Sequence, residues 1–213
     1  MAFEGAVFGV VTVLAAKLDE VTLAAHSIAV QVVATTYMVP LGISSAAAVR
    51  VGHAIGRKDS NGAAAAAWAA MTLSGIFMGT AGIVLWVVPG WIVRGFIADA
   101  GAIAAGAVLL RIAAFFQLFD GFQITAMGAL RGMGDTRTAM LAHLIGYWVI
   151  GLPISYVLCF QYGWGAAGLW VGLTVALILI GIALAATLSL LARQPGGVFM
   201  GSLAKLPAQT RRK

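Results

Sequence analysis

Five stretches of this chain, residues 22–48, 63–88, 101–129, 138–160 and 165–191, are each apolar over a length that spans a lipid bilayer. A membrane-crossing helix needs about 20 mostly apolar residues, and in hydrocarbon a helix satisfies every backbone N–H and C=O within its own segment. Residues 2–16 make a sixth, shorter segment, which rises only about 22 Å at 1.5 Å per residue. It either thins the bilayer or lacks its beginning. It is not a secretory signal, because it carries Glu4, has no basic leader and runs into further membrane segments. The expected fold is an all-α integral membrane bundle of six transmembrane helices over residues 1–192, followed by a basic cytoplasmic tail at 193–213. Composition supports the membrane class: 62% of residues are hydrophobic and 9% charged, against about 25% charged in soluble domains. Cys159 is the single cysteine, which excludes an internal disulfide.

Lys and Arg divide unequally between alternate connections. Arg50, Arg57, Lys58, Arg131 and Arg137, with Arg193, Lys205, Arg211, Arg212 and Lys213 of the tail, fall on one side; Lys17, Arg94 and Arg111 fall on the other. The positive-inside rule places the richer side, with both termini, in the cytoplasm. The net charge of +6 is therefore read as topology and contact with anionic lipid, and not as nucleic-acid binding.

Asp59 or Ser60 is positioned to cap a helix beginning in the alanine-rich stretch after Gly62. The connection VVPGWIVRGFIADAG is amphipathic and is expected to lie along the outer surface, with Trp86 and Trp91 at the interfacial level. Gly75 with Gly79, and Gly168 with Gly172, have the small-xxx-small spacing that permits close helix approach. Pro40 and Pro153 fall inside hydrophobic segments, where each removes a helical hydrogen bond and offers a hinge.

Of seven acidic residues, Asp19, Glu20, Asp59, Asp99 and Asp135 fall in loops or at helix ends, which leaves Glu4 and Asp120 at membrane depth. Glu4 lies 13 residues inside Lys17, and Asp120 lies 11 residues inside Arg131, roughly 20 and 16 Å along a helix. A charge at that depth costs at least ~2.5–3.5 kcal/mol, so such acids face a cavity, titrate or hold a cation. These are the requirements of a proton or sodium site, with interhelical hydrogen bonding as the structural alternative. Gln117 and Gln123 flank Asp120 within about 60° of its helix face. Ser27, Gln31, Thr35, Met38, Gly42 and Ser45 form a second polar stripe within an arc of about 80°. His26, His53 and His143 lie at different depths, so no shared metal site is expected, and no nucleophile with a base in reach suggests an enzyme.

Four signatures in order, LAAHSIAVQVVATTYMVPLGISSAAAVRVGHAIGRKD (23–59), LLRIAAFFQLFDGFQITAMGALRGMGDTRTAM (109–140), YWVIGLPISYVL (147–158) and YGWGAAGLWVGL (162–173), resemble the C-terminal half of a MATE (multidrug and toxic compound extrusion) protein of the bacterial NorM type. The resemblance implies one lobe, helices seven to twelve, of a twelve-helix transporter. It implies an inner-membrane antiporter that exports organic cations in exchange for Na⁺ or H⁺ by alternating access, without a cofactor. By this match Glu4 and Asp120 are the cation-coupling acids, and Na⁺, if it is the ion, is the only metal expected, held by these two. Gln31, Tyr37 and Gln123 match cavity-lining positions, and Thr35 and Gln117 join them from the polar stripes. The first lobe is absent and helix seven begins part-way through, so transport is expected to need the N-terminal lobe or a second copy. The alternatives are a truncated, non-transporting fragment, or a lipid-linked saccharide flippase of the same superfamily, whose cavities are usually cationic.

Overall fold

The computed structural model describes residues 2–192, with side chains from Gly5 to Leu190; the Glu4 side chain and the expected tail at 193–213 lie outside the described residues. The helices are α1 (Ala2–Ala16), α2 (Glu20–Gly56), α3 (Ser60–Val87), a short α4 (Pro89–Arg94), α5 (Ala100–Gly132), α6 (Thr136–His143), α7 (Leu152–Tyr156) and α8 (Gly165–Ala192). Two π-helical segments, Leu144–Gly151 and Val157–Gln161, link α6 and α7 into one continuous rod from Thr136 to Gln161. Five helical rods are long and apolar enough to cross a membrane, and α1 is the shorter sixth.

Helix starts follow from four aspartates. Asp19, Asp59, Asp99 and Asp135 each accept a hydrogen bond from a backbone N–H three residues on, at 2.7, 2.8, 2.7 and 3.0 Å. A carboxylate there satisfies an otherwise unpaired helix N–H and sits favourably at the positive end of the helix dipole. Most of the acids outside the membrane interior are thus helix caps. Asp59, and not Ser60, caps α3, which begins ahead of Gly62.

The cytoplasmic loop expected at 49–62 contracts to Arg57–Asp59, because α2 runs on as far as Gly56. Hydropathy marks where a helix leaves the hydrocarbon and not where it ends; the ending is set by Lys58, in the left-handed region at φ 59°, and the Asp59 cap. At 37 residues α2 is about 55 Å long, well beyond the ~30 Å hydrocarbon core.

The bundle is built around α5, which packs against α2, α3, α4 and α8 and is buried at intervals from Ala102 to Leu130. Toward its C-terminal end Ser44 Oγ of α2 donates to the Ile124 carbonyl at 2.7 Å and accepts from Arg131 Nη2 at 3.1 Å.

The two glycine pairs behave differently. A Cβ on Gly168 would stand 2.7 Å from the Leu158 carbonyl carbon, and Gly172 abuts Ser155, whose Oγ donates to the Leu169 carbonyl at 2.9 Å. Gly75 has nothing within 4 Å, and Gly79 has only Leu118 Cδ1 at 4.0 Å. On α3 the close approach is made instead by Gly82, against the Ala114 carbonyl oxygen at 2.9 Å. Spacing alone cannot say which face of a helix meets a neighbour.

The prolines also differ. Pro40 is buried within an uninterrupted α2. Pro153 lies in α7 between the two π-helical segments, where Leu152 N–H reaches back to the Tyr147 carbonyl and Tyr162 N–H to the Val157 carbonyl. Such wide turns re-route hydrogen bonds around a residue that cannot donate. In the connection between α3 and α5, α4 has exposed Trp91 on one face and buried Val93 on the other, packed on Gly106 of α5. It therefore packs against α5.

Candidate functional site

Asp120 comes from the middle of α5 and is 2% exposed. A cavity of about 270 Å³ opens beside it between α1, α2 and α5, walled by Gly5 and Phe8, by Val33, Tyr37 and Leu41, and by Phe116 and Asp120. The walls are otherwise apolar and aromatic, with Phe8 and Phe116 edge to face at 5.9 Å. In α5 the nearest cationic residues on either side, Arg111 and Arg131, are nine and eleven residues along the helix, roughly 13 and 16 Å away. The carboxyl group is thus held in an apolar hollow away from the basic helix ends.

Glu4 lies in α1 one residue before the cavity-lining Gly5; its side chain is outside the described residues. Tyr37 lines the cavity. Gln117 and Gln123 are both fully buried beside Asp120, but neither is part of the cavity wall. The amide oxygens and nitrogens of both have no hydrogen-bond partner. Leaving a buried polar group unsatisfied costs about 1–3 kcal/mol, so these side chains add a polar shell behind the acid at a cost to stability.

The stripe on α2 faces elsewhere. Ser27, Gln31, Thr35, Met38, Gly42 and Ser45 are all exposed. The hydroxyls of Ser27, Thr35 and Ser45 bond back to carbonyls of their own helix at 2.8–3.1 Å. Gln31 and Thr35 therefore do not converge with Asp120: one helix turns Val33, Tyr37 and Leu41 toward the cavity and its polar stripe outward.

One network had no signal in the sequence. His26, fully buried in α2, accepts at Nδ1 from Trp170 Nε1 of α8 at 3.2 Å, and its Nε2 lies 3.1 Å from Thr12 Oγ1 of α1. Trp170 also packs edge-on against Phe116 at 5.8 Å and Phe8 at 6.4 Å, the two phenyl rings of the cavity. Its members are 14 and 144 positions apart in the chain, beyond any spacing rule.

Comparison with known proteins agrees with this architecture. A probable multidrug resistance protein NorM of Deinococcus radiodurans is 44% identical over 186 residues, covering 85% of this chain and 41% of that protein. Its counterpart in Mesorhizobium japonicum is 39% identical over 185 residues, covering 84% of this chain and 40% of the other. The chain thus spans about two-fifths of the length of these relatives. Among solved structures, a MATE protein in a bent conformation superposes with a TM-score of 0.83 at 20% identity, over 91% of this chain and 43% of that one, which is a likeness of fold and amounts to one lobe. The MatE family model matches residues 1–157, and with relatives of this identity the chain belongs to the MatE family.

Proposed function

We propose that this chain is the C-terminal six-helix lobe of a cation-coupled multidrug exporter of the bacterial inner membrane, with Asp120 and Glu4 as the acids that take up and release Na⁺ or H⁺. The observation that carries the reading is Asp120: a carboxyl group buried at mid-helix on the wall of an aromatic cavity, at a depth where an anion is stabilised by binding a cation or a proton. An organic cation suits the same hollow, since aromatic faces attract cations and the acid supplies countercharge. Coupling follows if ion and drug favour opposite-facing states of the lobe, so that binding of one shifts the population available to the other. The flippase alternative is disfavoured by an acid where an anionic headgroup would need a base.

The exposed stripe of α2 supports a facing partner. Gln31 and Thr35 lie on a surface that lipid would not favour, and a second lobe across a shared aqueous path gives them a polar environment. That lobe is either the N-terminal half of a longer protein or a second copy of this chain.

The test is energy-dependent ethidium efflux from drug-sensitive cells that express the 213-residue chain, the same chain extended upstream through a first lobe, and Asp120→Asn in each. Efflux by the extended chain that Asp120→Asn abolishes, with membrane insertion unchanged, is the expected result. Undiminished efflux in that mutant would sink the assignment of Asp120. Efflux by the short chain itself would identify a self-pairing half-transporter.

A further inference from the structure

We infer that His26 is a positioning residue for the cavity: through Thr12 and Trp170 it ties α1 and the aromatic wall to α2. Few described side chains tie α1 to the bundle by polar contacts. Among its described side chains, Thr12 alone hydrogen-bonds outside the helix, and the bond goes to His26. The other buried side chains described on α1, Val7, Val11 and Ala15, are apolar. In a bilayer apolar packing between helices has little driving force, because lipid tails are as apolar as the neighbouring helix. Among the described side chains of α1, the Thr12–His26 bond is therefore the polar tie that sets where the helix lies.

Trp170 Nε1 is a donor only, so His26 Nδ1 must accept, and the ring proton sits on Nε2. That proton is donated to Thr12 Oγ1, whose own hydroxyl is donated to the Phe8 carbonyl at 2.8 Å. The chain indole to imidazole to hydroxyl to carbonyl is satisfied throughout with neutral groups. It joins α8, α2 and α1, and it ends on the residue whose ring forms the cavity wall.

Thr12 is one turn beyond Phe8 on α1, and His26 is one turn before Val30, where the cavity begins on α2. The network therefore closes the cavity at the end nearer the α1–α2 turn. It fixes the spacing of Gly5, Phe8 and the backbone carrying Glu4 from Asp120. The same indole braces Phe8 and Phe116, so one imidazole sets both the distance between the walls and the orientation of their rings.

The test uses the full chain purified in lipid nanodiscs. Val11, fully buried on α1, is replaced by cysteine, and the native Cys159, 2% exposed in the Thr136–Gln161 rod, serves as an internal control for general loosening. Thr12→Val and His26→Ala are expected to speed thiol labelling at position 11 by about threefold, the effect of losing one interhelical hydrogen bond in a membrane, with Cys159 still protected. Thr12→Ser and His26→Gln retain the bonding pattern, since an amide both accepts from an indole and donates to a hydroxyl, and are expected to label as slowly as the parent. Unchanged labelling in Thr12→Val and His26→Ala would overturn the inference. Equal exposure of both cysteines would overturn it too, because His26 would then support the whole lobe and not α1. Labelling reads the position of α1 directly, so loss of the export reading in the efflux assay would leave this result standing.

Discussion

Replacing Gly168 by alanine inserts one methyl group where α8 meets the Pro153-containing rod. The new Cβ would lie 2.7 Å from Leu158 C, 2.8 Å from Cys159 N and 2.9 Å from Leu158 O. Carbon contacts are comfortable at about 3.5–4.0 Å, so the helices must separate by roughly 0.7–1 Å. All three atoms belong to backbone, and no side chain can rotate away. Overpacking of this kind costs typically 1–3 kcal/mol, and the separation also strains the Ser155–Leu169 hydrogen bond, worth about 1 kcal/mol. Against this stands a helix-propensity gain of up to about 1 kcal/mol for alanine over glycine. The net expectation is a loss of about 2 kcal/mol. Gly75→Ala is the matched control: it also lies mid-helix, but with nothing within 4 Å, so only the propensity gain should remain. The two mutants should shift in opposite directions in SDS-induced unfolding followed by circular dichroism. If Gly168→Ala proves as stable as Gly75→Ala, the close approach of the two helices is not what holds this corner together.

Lys58→Gly should stabilise the lobe by roughly 0.5–1 kcal/mol in the same assay, since Lys58 sits at φ 59° and glycine adopts that region without a Cβ penalty; a loss of stability would refute it. Asp19 should give the lobe an acid-sensitive component. Its carboxyl is held below the usual range by hydrogen bonds from the Thr22 hydroxyl and N–H, so the stabilisation is present above the ordinary carboxylate pKa and is lost as pH falls through the lowered one. Thermal unfolding of the parent from about pH 6 down to about pH 3 should therefore decline more steeply than that of Asp19→Asn; parallel curves would refute the cap.

Much of this molecule was legible before any coordinates. Asp120 and Glu4 stood out because a charge costs so much in hydrocarbon that its presence demands a reason, and Asp120 does line a cavity. Tyr37 was found by family likeness and lies on the same wall. The glutamines were less well served. Gln117 and Gln123 share the helix face of Asp120 yet stand behind the cavity, and Gln31 and Thr35 share a helix with Tyr37 yet look away from it. Periodicity fixes angles around one helix axis but says nothing of which neighbour occupies each angle.

The sequence by itself determined the class of structure, the order of the membrane segments, the cap of α3 to within one residue and the acid in the middle of α5, because each rests on a local cost: hydration of backbone, an unpaired N–H, a charge in lipid. Only the tertiary structure decided that α5 is the axis of the bundle, that Gly168 and not Gly75 is a point of contact, and that Thr12, His26 and Trp170 meet. Those outcomes depend on how whole helices rotate and cross. That choice is made by the sum of many weak contacts distributed along the chain, and no short stretch of residues contains it.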